Sequence, residues 1–262
     1  MSSSGHLILV PWLFDWRFLL THPELNKTFD VALHLGTFLG AAAFFWRDIV
    51  TYTGGFFRSV AHRRIETTEE RLAWLILLGT VPAVITGLLL QDVIERHLGQ
   101  PWLIAVMLAL FGAILVVVDK VASQTRRLGD LRSRDALVIG VAQALALQPG
   151  VSRSGVTITA ARGLGMERED AVRFSFLLSL PVIAGAGVLK LAPLIGHGIP
   201  AGMGAAFFWG VLASAVSGYL VVWLLLAIVR RFSLAAFVVY RFVVAALVFA
   251  LIATNTRPAG GL

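Results

Sequence analysis

Residues 149–157 read Pro-Gly-Val-Ser-Arg-Ser-Gly-Val-Thr, a stretch whose side chains suit the binding of an anion. The planar guanidinium of Arg153 can donate two parallel hydrogen bonds to a phosphate. Free backbone N–H groups at the start of a helix add donors, as do the hydroxyls of Ser152, Ser154 and Thr157. The stretch therefore predicts a phosphate site in which Arg153 neutralises charge. The alternative is a structural arginine that bonds to backbone carbonyls.

The segments on both sides of this stretch are apolar. No residue is charged from 136 to 150 or from 156 to 161, and neither segment has the roughly 20 residues that a bilayer requires. We therefore expect a hairpin that enters the membrane and returns to the same side. Irregular backbone at that depth is tolerated only inside protein or beside a wet cavity. A charged residue there marks a function by default.

A second set of candidate residues opens the chain, where residues 2–6 read Ser-Ser-Ser-Gly-His. Histidine is the usual side chain for proton transfer at neutral pH, so His6 could attack phosphorus itself or act as the general base for Ser3. Ser3 could be the nucleophile or a hydrogen-bond donor to phosphate. The alternatives are structural, because adjacent serines commonly cap helices and a histidine at a helix start can simply face water.

The two sets share a pattern, since Ser-Ser-Ser-Gly at 2–5 matches Ser-Arg-Ser-Gly at 152–155. An apolar arm and three predicted spans follow each of them. An odd number of spans inverts the second unit relative to the first, and inverted repeats place the site where the halves meet. We expect one domain, 1–262, with halves at about 1–122 and 133–254, in which Ser3, His6 and Arg153 converge.

The composition is that of a polytopic membrane protein. Of the 262 residues, 58% are hydrophobic and 14% are charged, and the mean hydropathy is +0.83, whereas soluble domains contain about 25% charged residues. The fold class is therefore all-α, an inverted repeat of six transmembrane helices with re-entrant helical hairpins. A basic loop is expected at 47–71 and a break at 193–200. The predicted spans are 29–46, 72–90, 102–118, 174–189, 203–229 and 234–253.

The charges indicate how the protein lies in the membrane. Most of the 22 lysines and arginines fall in loops on one side of the spans, which the positive-inside rule assigns to the cytoplasm. The hairpin then enters from the cytoplasm, and residues 2–6 lie toward the outer face. The net charge of +7 has the same explanation, so we expect no nucleic-acid partner. The chain has no cysteine, which excludes disulfides and thiolate chemistry.

Three further features carry weaker interpretations. Asp30 could contribute to cation binding, or it could simply favour the first turn of a helix. Arg241, inside the sixth predicted span, is expected to pair with an acid or a carbonyl in a structural role. Glycines within the spans would allow close helix packing and lateral entry of a lipid; these are Gly185, Gly187, Gly210 and Gly218.

At both motifs the chain resembles the undecaprenyl-diphosphate phosphatase family of the bacitracin-resistance type. Residues 28–30, 35–36 and 174–181 also fit, so the resemblance runs along the whole chain. It implies a membrane enzyme that converts undecaprenyl diphosphate to undecaprenyl phosphate and inorganic phosphate, recycling the lipid carrier of cell-wall synthesis and conferring bacitracin resistance. The implied catalytic residues are Ser3, His6 and Arg153. The implied substrate-binding residues are Ser2, Ser4, Ser152, Ser154, Gly155 and Thr157.

One part of the family pattern is missing from this sequence. The family carries two glutamates, about one helical turn apart, just before the first serine motif, and here Met1 stands where the family has valine. Either translation starts upstream, with a valine-type codon misread as the initiator, or the protein is truncated; we expect the upstream start. The resemblance implies magnesium or calcium as the cation, with Asp30 as the remaining candidate ligand.

The resemblance also implies a multi-pass protein of the bacterial inner membrane whose active site opens to the outer face. The expected partners are the polyprenyl diphosphate substrate and membrane lipids, and the sequence leaves a monomer and a homo-oligomer both open. A transporter or flippase of a phosphorylated polyprenyl lipid is the rival interpretation, because inverted repeats and broken helices are typical of transporters. A catalytically silent membrane scaffold is a third, supported only by the missing glutamates.

Overall fold

The computed structural model describes residues 2–16, 23–197 and 203–260, and these residues are almost entirely helical. Within these ranges the only extended pairing is an isolated bridge between Arg126 and Met166. A short 3-10 turn, Leu128–Asp130, lies in the same loop as Arg126. The helices are α1 Ser3–Phe14, α2 Pro23–Phe44, α3 Trp46–His62, α4 Thr68–His97, α5 Pro101–Val121, α6 Ser133–Leu145, α7 Arg153–Gly163, α8 Arg168–His197, α9 Gly204–Val229 and α10 Ala235–Ala253.

Five of these helices, α4, α5, α8, α9 and α10, are long and apolar enough to cross a membrane, and the bent pair α2 and α3 is a sixth candidate. The predicted all-α polytopic fold is therefore confirmed. The bounds differ most at α8, which continues through Pro193 to His197 although the sequence predicts a break at 193–200. Residues 198–202 lie outside the described part of the chain. The division into halves at 1–122 and 133–254 stays a prediction.

The prediction of a basic loop at 47–71 is wrong for most of its length, because α3 occupies 46–62. Its apolar residues recur on one exposed face of the helix, at Trp46, Val50, Phe57 and Val60. The opposite face packs on α4, where the indole N–H of Trp74 donates to Ser59 Oγ at 2.9 Å. The axis turns by 80° between α2 and α3. A helix with one apolar exposed face is typical of a membrane surface, and its interspersed arginines obscure that period in the sequence.

The helices α6 and α7 form the predicted hairpin. They contain 13 and 11 residues, so each is too short to cross a bilayer. The first arm packs tightly on α4, since a Cβ added at Gly140 would overlap the backbone of Gly79. The stretch that suits an anion, residues 149–157, covers the end of the turn between the arms and the start of α7. The predicted helical hairpin is therefore confirmed.

Buried charges hold the base of this hairpin. Arg162, near the end of α7, is fully buried and donates from Nε to Asp119 of α5 at 2.9 Å. Arg168, which begins α8, donates to the same carboxylate at 2.9 Å, and the backbone N–H of Leu234 bonds to it at 3.4 Å. Removing one partner of a buried ion pair is strongly destabilising. This node therefore fixes α7 relative to α5, α8 and the start of α10.

Glycine packing joins the outer helices, although not at every predicted position. An added Cβ at Gly40 of α2 would overlap the backbone of α9, and Gly210 and Gly218 of α9 lie against α2. This is the small-residue packing expected between membrane helices. No described atom lies within 4 Å of a Cβ added at Gly185 or Gly187. Among the described residues, close packing is therefore absent at these two glycines, and the lateral entry of a lipid there stays a prediction.

Candidate active site

The two serine motifs have the same local structure, because each forms the N-cap of a short helix. Ser2 Oγ caps α1 by accepting the N–H of Gly5 at 3.3 Å, and Ser152 Oγ caps α7 by accepting the N–H of Gly155 at 3.2 Å. A Cβ added at Gly5 would lie 3.1 Å from its cap oxygen, and one at Gly155 would lie 3.2 Å from its own. Serine at the first position thus supplies the cap oxygen, and glycine at the fourth avoids crowding that oxygen.

The two motifs are also in contact. The backbone N–H of Gly150 donates to Ser2 Oγ at 3.1 Å across a separation of 148 residues. Ser2 is 2% exposed, so this hydrogen bond lies inside the protein, where an unpaired donor would be costly. The N-termini of α1 and α7 thus meet, as the repeat predicts. The catalytic roles assigned to Ser3, His6 and Arg153 stay predictions.

The turn before α7 has an unusual backbone conformation. Gly150 has φ +95 and Ser152 has φ +73, a region that residues other than glycine rarely adopt. A Cβ added at Gly150 would lie 2.6 Å from the carbonyl oxygen of Ile104, so glycine is required there for space as well as for conformation. Strain of this kind persists only where surrounding contacts impose it, and it is frequent at ligand sites.

Arg241 of α10 provides those contacts. Its side chain is buried, and Nη2 donates to the carbonyl oxygens of Gly150 and Val151, both at 2.9 Å. Nε donates to the carbonyl oxygen of Leu108 on α5 at 3.1 Å. The prediction that Arg241 pairs with a carbonyl inside the bundle is confirmed. The arginine holds the turn in the conformation that presents the N-terminus of α7.

The residues between the cap serine and the glycine are available to a ligand. Arg153 is half-buried and Ser3 is exposed. In the described part of the chain, neither the Arg153 guanidinium nor the Ser3 hydroxyl has a hydrogen-bond or ion-pair partner. A half-buried arginine without a protein partner, at the N-terminus of a helix, is suited to an anion. Ser154 is likewise half-buried, and Ser4 Oγ lies 3.5 Å from Ser2 Oγ.

The other predicted substrate-binding residues lie deeper. Ser2, Ser152 and Thr157 are at most 2% exposed, and Gly155 is also buried. The Thr157 hydroxyl bonds to Ser175 Oγ of α8 at 2.6 Å and to the carbonyl oxygen of Arg153 at 2.8 Å. In this conformation these four residues fix the position of the motifs, while Ser3, Ser4, Arg153 and Ser154 form the accessible part.

His6 is held at both ring nitrogens. Its Nδ1 lies 2.7 Å from the carbonyl oxygen of Ser2, and its Nε2 lies 2.8 Å from the hydroxyl of Tyr240. The two rings are stacked, with centroids 5.7 Å apart and planes at 14°. Tyr240 is thus a site residue that neither sequence motif indicates. The one sequence feature that could have indicated it is its position directly before Arg241, the arginine within the sixth predicted span.

Metal ligands are sparse in this region. The described residues contain no group of three or more His, Asp or Glu side chains that could hold a metal ion. Asp30 lies on α2, and its carbonyl oxygen accepts a hydrogen bond from His34 Nδ1 at 2.7 Å. The donor set in the described residues therefore does not fit a divalent cation, and the positive charge at the site comes from Arg153.

A comparison with known protein families assigns this chain to one of them. The family described as bacitracin resistance protein BacA matches residues 1–247. The chain belongs to this family.

Curated relatives support the same assignment. A protein of Pelobacter propionicus is 46% identical over 256 residues, covering 97% of this chain and 92% of the relative. Proteins of Geobacter metallireducens and Geobacter sulfurreducens are 48% and 49% identical, each covering 92% of this chain and 87% of the relative. All three carry the name undecaprenyl-diphosphatase.

Proposed function

We propose that this protein is an undecaprenyl-diphosphatase, which hydrolyses undecaprenyl diphosphate to undecaprenyl phosphate and inorganic phosphate. Membership of the BacA family and the names of relatives at 46–49% identity support this activity. Such a reaction recycles the lipid carrier of cell-wall synthesis and confers resistance to bacitracin. The observation that carries the proposal is Arg153, which has no partner in the described residues and lies at the N-terminus of α7, the second arm of the hairpin.

Arg153 has the chemistry that the reaction requires. Phosphoryl transfer depends on neutralising charge on the oxygens around phosphorus. The Arg153 fork can bind two of these oxygens, and the free N–H groups at the start of α7 can bind a third. The hydroxyl of Ser154 and the exposed start of α1 extend this set of donors.

Ser3 is our candidate nucleophile. Its hydroxyl is exposed and unengaged among the described residues, whereas both ring nitrogens of His6 already have partners. In this mechanism Ser3 Oγ attacks the outer phosphorus and its proton passes to a phosphate oxygen of the substrate. The bond from that phosphorus to the bridging oxygen breaks, and the lipid monophosphate leaves with the electron pair of that bond. Water then releases inorganic phosphate from the serine.

We expect magnesium or calcium to support the reaction, because divalent cations commonly neutralise diphosphates. The described residues do not supply a ligand set, so no step is assigned to the ion. The expected location is the bacterial inner membrane, with the basic loops in the cytoplasm and the site open to the outer face. The expected partners are the polyprenyl diphosphate substrate and the surrounding lipids.

The test is phosphate release from undecaprenyl diphosphate by purified protein in detergent, with magnesium, with calcium and with EDTA. Detergent abolishes compartments, so a pure transporter or flippase would release no phosphate. We expect release in the presence of a divalent cation. Folded protein that releases none would refute the phosphatase proposal and would favour transport or a scaffold role.

Ser3→Ala tests the assigned nucleophile. Loss of a nucleophile costs several orders of magnitude in rate, so we expect a fall of at least about 1,000-fold, together with loss of a phosphoserine that can be trapped by rapid acid quench. Ser217→Ala, an exposed serine of α9, is the matched control. If the rate falls only a few fold and the wild type forms no phosphoserine, the nucleophile must be His6 or water and not Ser3.

A further inference from the structure

His6 makes a contact that the reaction scheme above does not use. Its Nε2 lies 2.8 Å from the hydroxyl of Tyr240, a residue 234 positions away on α10. The two rings are nearly parallel, with planes at 14° and centroids 5.7 Å apart, so they lie offset from each other. Tyr240 is 39% exposed, so this pair lies at the accessible side of the motif rather than in the core.

The partners of His6 determine which nitrogen carries the proton. A backbone carbonyl can only accept, so the 2.7 Å contact with the Ser2 carbonyl requires a hydrogen on Nδ1. The lone pair of the neutral ring is then on Nε2, and the Tyr240 hydroxyl donates to it. Loss of that donor would leave Nε2 without a described partner and would release the ring from one of its two anchors.

The neighbour of Tyr240 fixes the other motif. Arg241 donates to the carbonyl oxygens of Gly150 and Val151 at the turn before α7. Two consecutive residues of α10 therefore reach the two motifs, Tyr240 through His6 and Arg241 through the backbone. Because these residues share one helix, their spacing sets the position of the α1 N-terminus relative to the α7 N-terminus.

We propose that Tyr240 is a positioning residue for the phosphatase reaction. Its hydroxyl holds His6 in the Nδ1–H tautomer and thereby holds the first turn of α1, which carries Ser3, against the turn that carries Arg153. The effect on catalysis rests on the proposed function. The effect on the His6 tautomer does not, so the two can be tested separately.

The test uses Tyr240→Phe, which keeps the stacked ring and removes the hydroxyl. We expect kcat to fall about 10-fold, the effect of losing one hydrogen bond of ordinary strength, while KM stays within about twofold because Arg153 still binds the phosphate. Nitrogen-15 NMR of histidine-labelled protein should show the His6 ring changing from a single tautomer to a mixture of both. His6→Gln identifies the His6 signals.

Two further variants separate positioning from a general structural role. Tyr219→Phe is the matched control, because Tyr219 is 41% exposed and packs on Phe44 away from both motifs; it should change neither kcat nor the His6 spectrum. In the double variant His6→Gln/Tyr240→Phe, loss of the tyrosine hydroxyl should cause no further fall in kcat, since its effect passes through His6.

The outcomes are distinguishable. Wild-type kcat in Tyr240→Phe, an unchanged His6 spectrum, or an undiminished effect of Tyr240→Phe in the His6→Gln background would each overturn the positioning role. Absence of phosphate release by the wild type would refute the proposed function alone, and the NMR comparison would still decide whether Tyr240 sets the tautomer. A Tyr240→Phe protein that unfolds at lower temperature with unchanged His6 signals would make the residue merely structural.

Discussion

The motifs at 2–5 and 152–155 begin short helices in the same way, yet the protein holds them by different means. The first cap residue, Ser2, has extended backbone with φ −95, and its carbonyl bonds to His6, whose other nitrogen meets Tyr240. The second, Ser152, has φ +73, and Arg241 holds the carbonyls just before it. The first motif is thus held through an imidazole that can exchange protons, and the second through an arginine that stays charged.

The difference between the motifs is concentrated at one position. Ser3 and Arg153 each occupy the first residue of their helix, and neither has a partner among the described residues. Both motifs therefore have the same cap serine and glycine, but the residue after the cap is a neutral hydroxyl in the first motif and a cation in the second. This division suits phosphoryl transfer, in which one group attacks and another neutralises charge.

The largest expected effect comes from removing the support of the second motif. Arg241→Ala would take the arginine donor away from three carbonyl oxygens, each costing about 1–3 kcal/mol, so we expect a loss of at least about 3 kcal/mol in the free energy of unfolding. Unfolding by SDS titration in mixed micelles measures it. Val243→Ala, at a 61% exposed position on the same helix, is the control. A loss no greater than that of the control would show that the turn before α7 keeps its conformation without Arg241.

Arg153→Ala tests the cation of the second motif. Removing one charge-stabilising donor from a transition state costs about 100- to 1,000-fold in kcat, and we expect a fall in that range with little change in stability. Phosphate release in detergent measures it, with Arg64→Ala, an exposed arginine in the loop between α3 and α4, as the control. Near-normal turnover in Arg153→Ala would show that this motif does not form the phosphate site.

Ser2→Ala gives the smallest effect and tests the contact between the motifs. The substitution removes the acceptor for both Gly5 and Gly150. A lost cap costs about 1 kcal/mol and a buried unpaired N–H at least as much again, so we expect a loss of about 2 kcal/mol by SDS titration. Ser217→Ala should cost less than about 0.5 kcal/mol. Equal values for the two serines would mean that the motifs do not depend on each other.

Much of the fold could be predicted from the sequence, because each element depends on neighbours within a few residues. Uncharged runs identify the spanning helices and both arms of the hairpin, and the Ser-X-Ser-Gly pattern identifies the two caps. The same local reasoning fails at α3, where arginines interrupt the apolar period. It also fails at Gly185, because a glycine in the sequence does not show whether another helix packs against it.

The sequence by itself determined the chemistry available, namely Ser3, His6 and Arg153 beside helix starts within a membrane protein. Only the tertiary structure decided how these residues are held. The contacts of Ser2 with Gly150 and of His6 with Tyr240 join residues 148 and 234 positions apart. No local periodicity encodes such pairs, because they arise from how α10 packs against α5 and the N-termini of α1 and α7. Caps and spans are local properties, whereas the geometry of the site depends on the packing of the whole bundle.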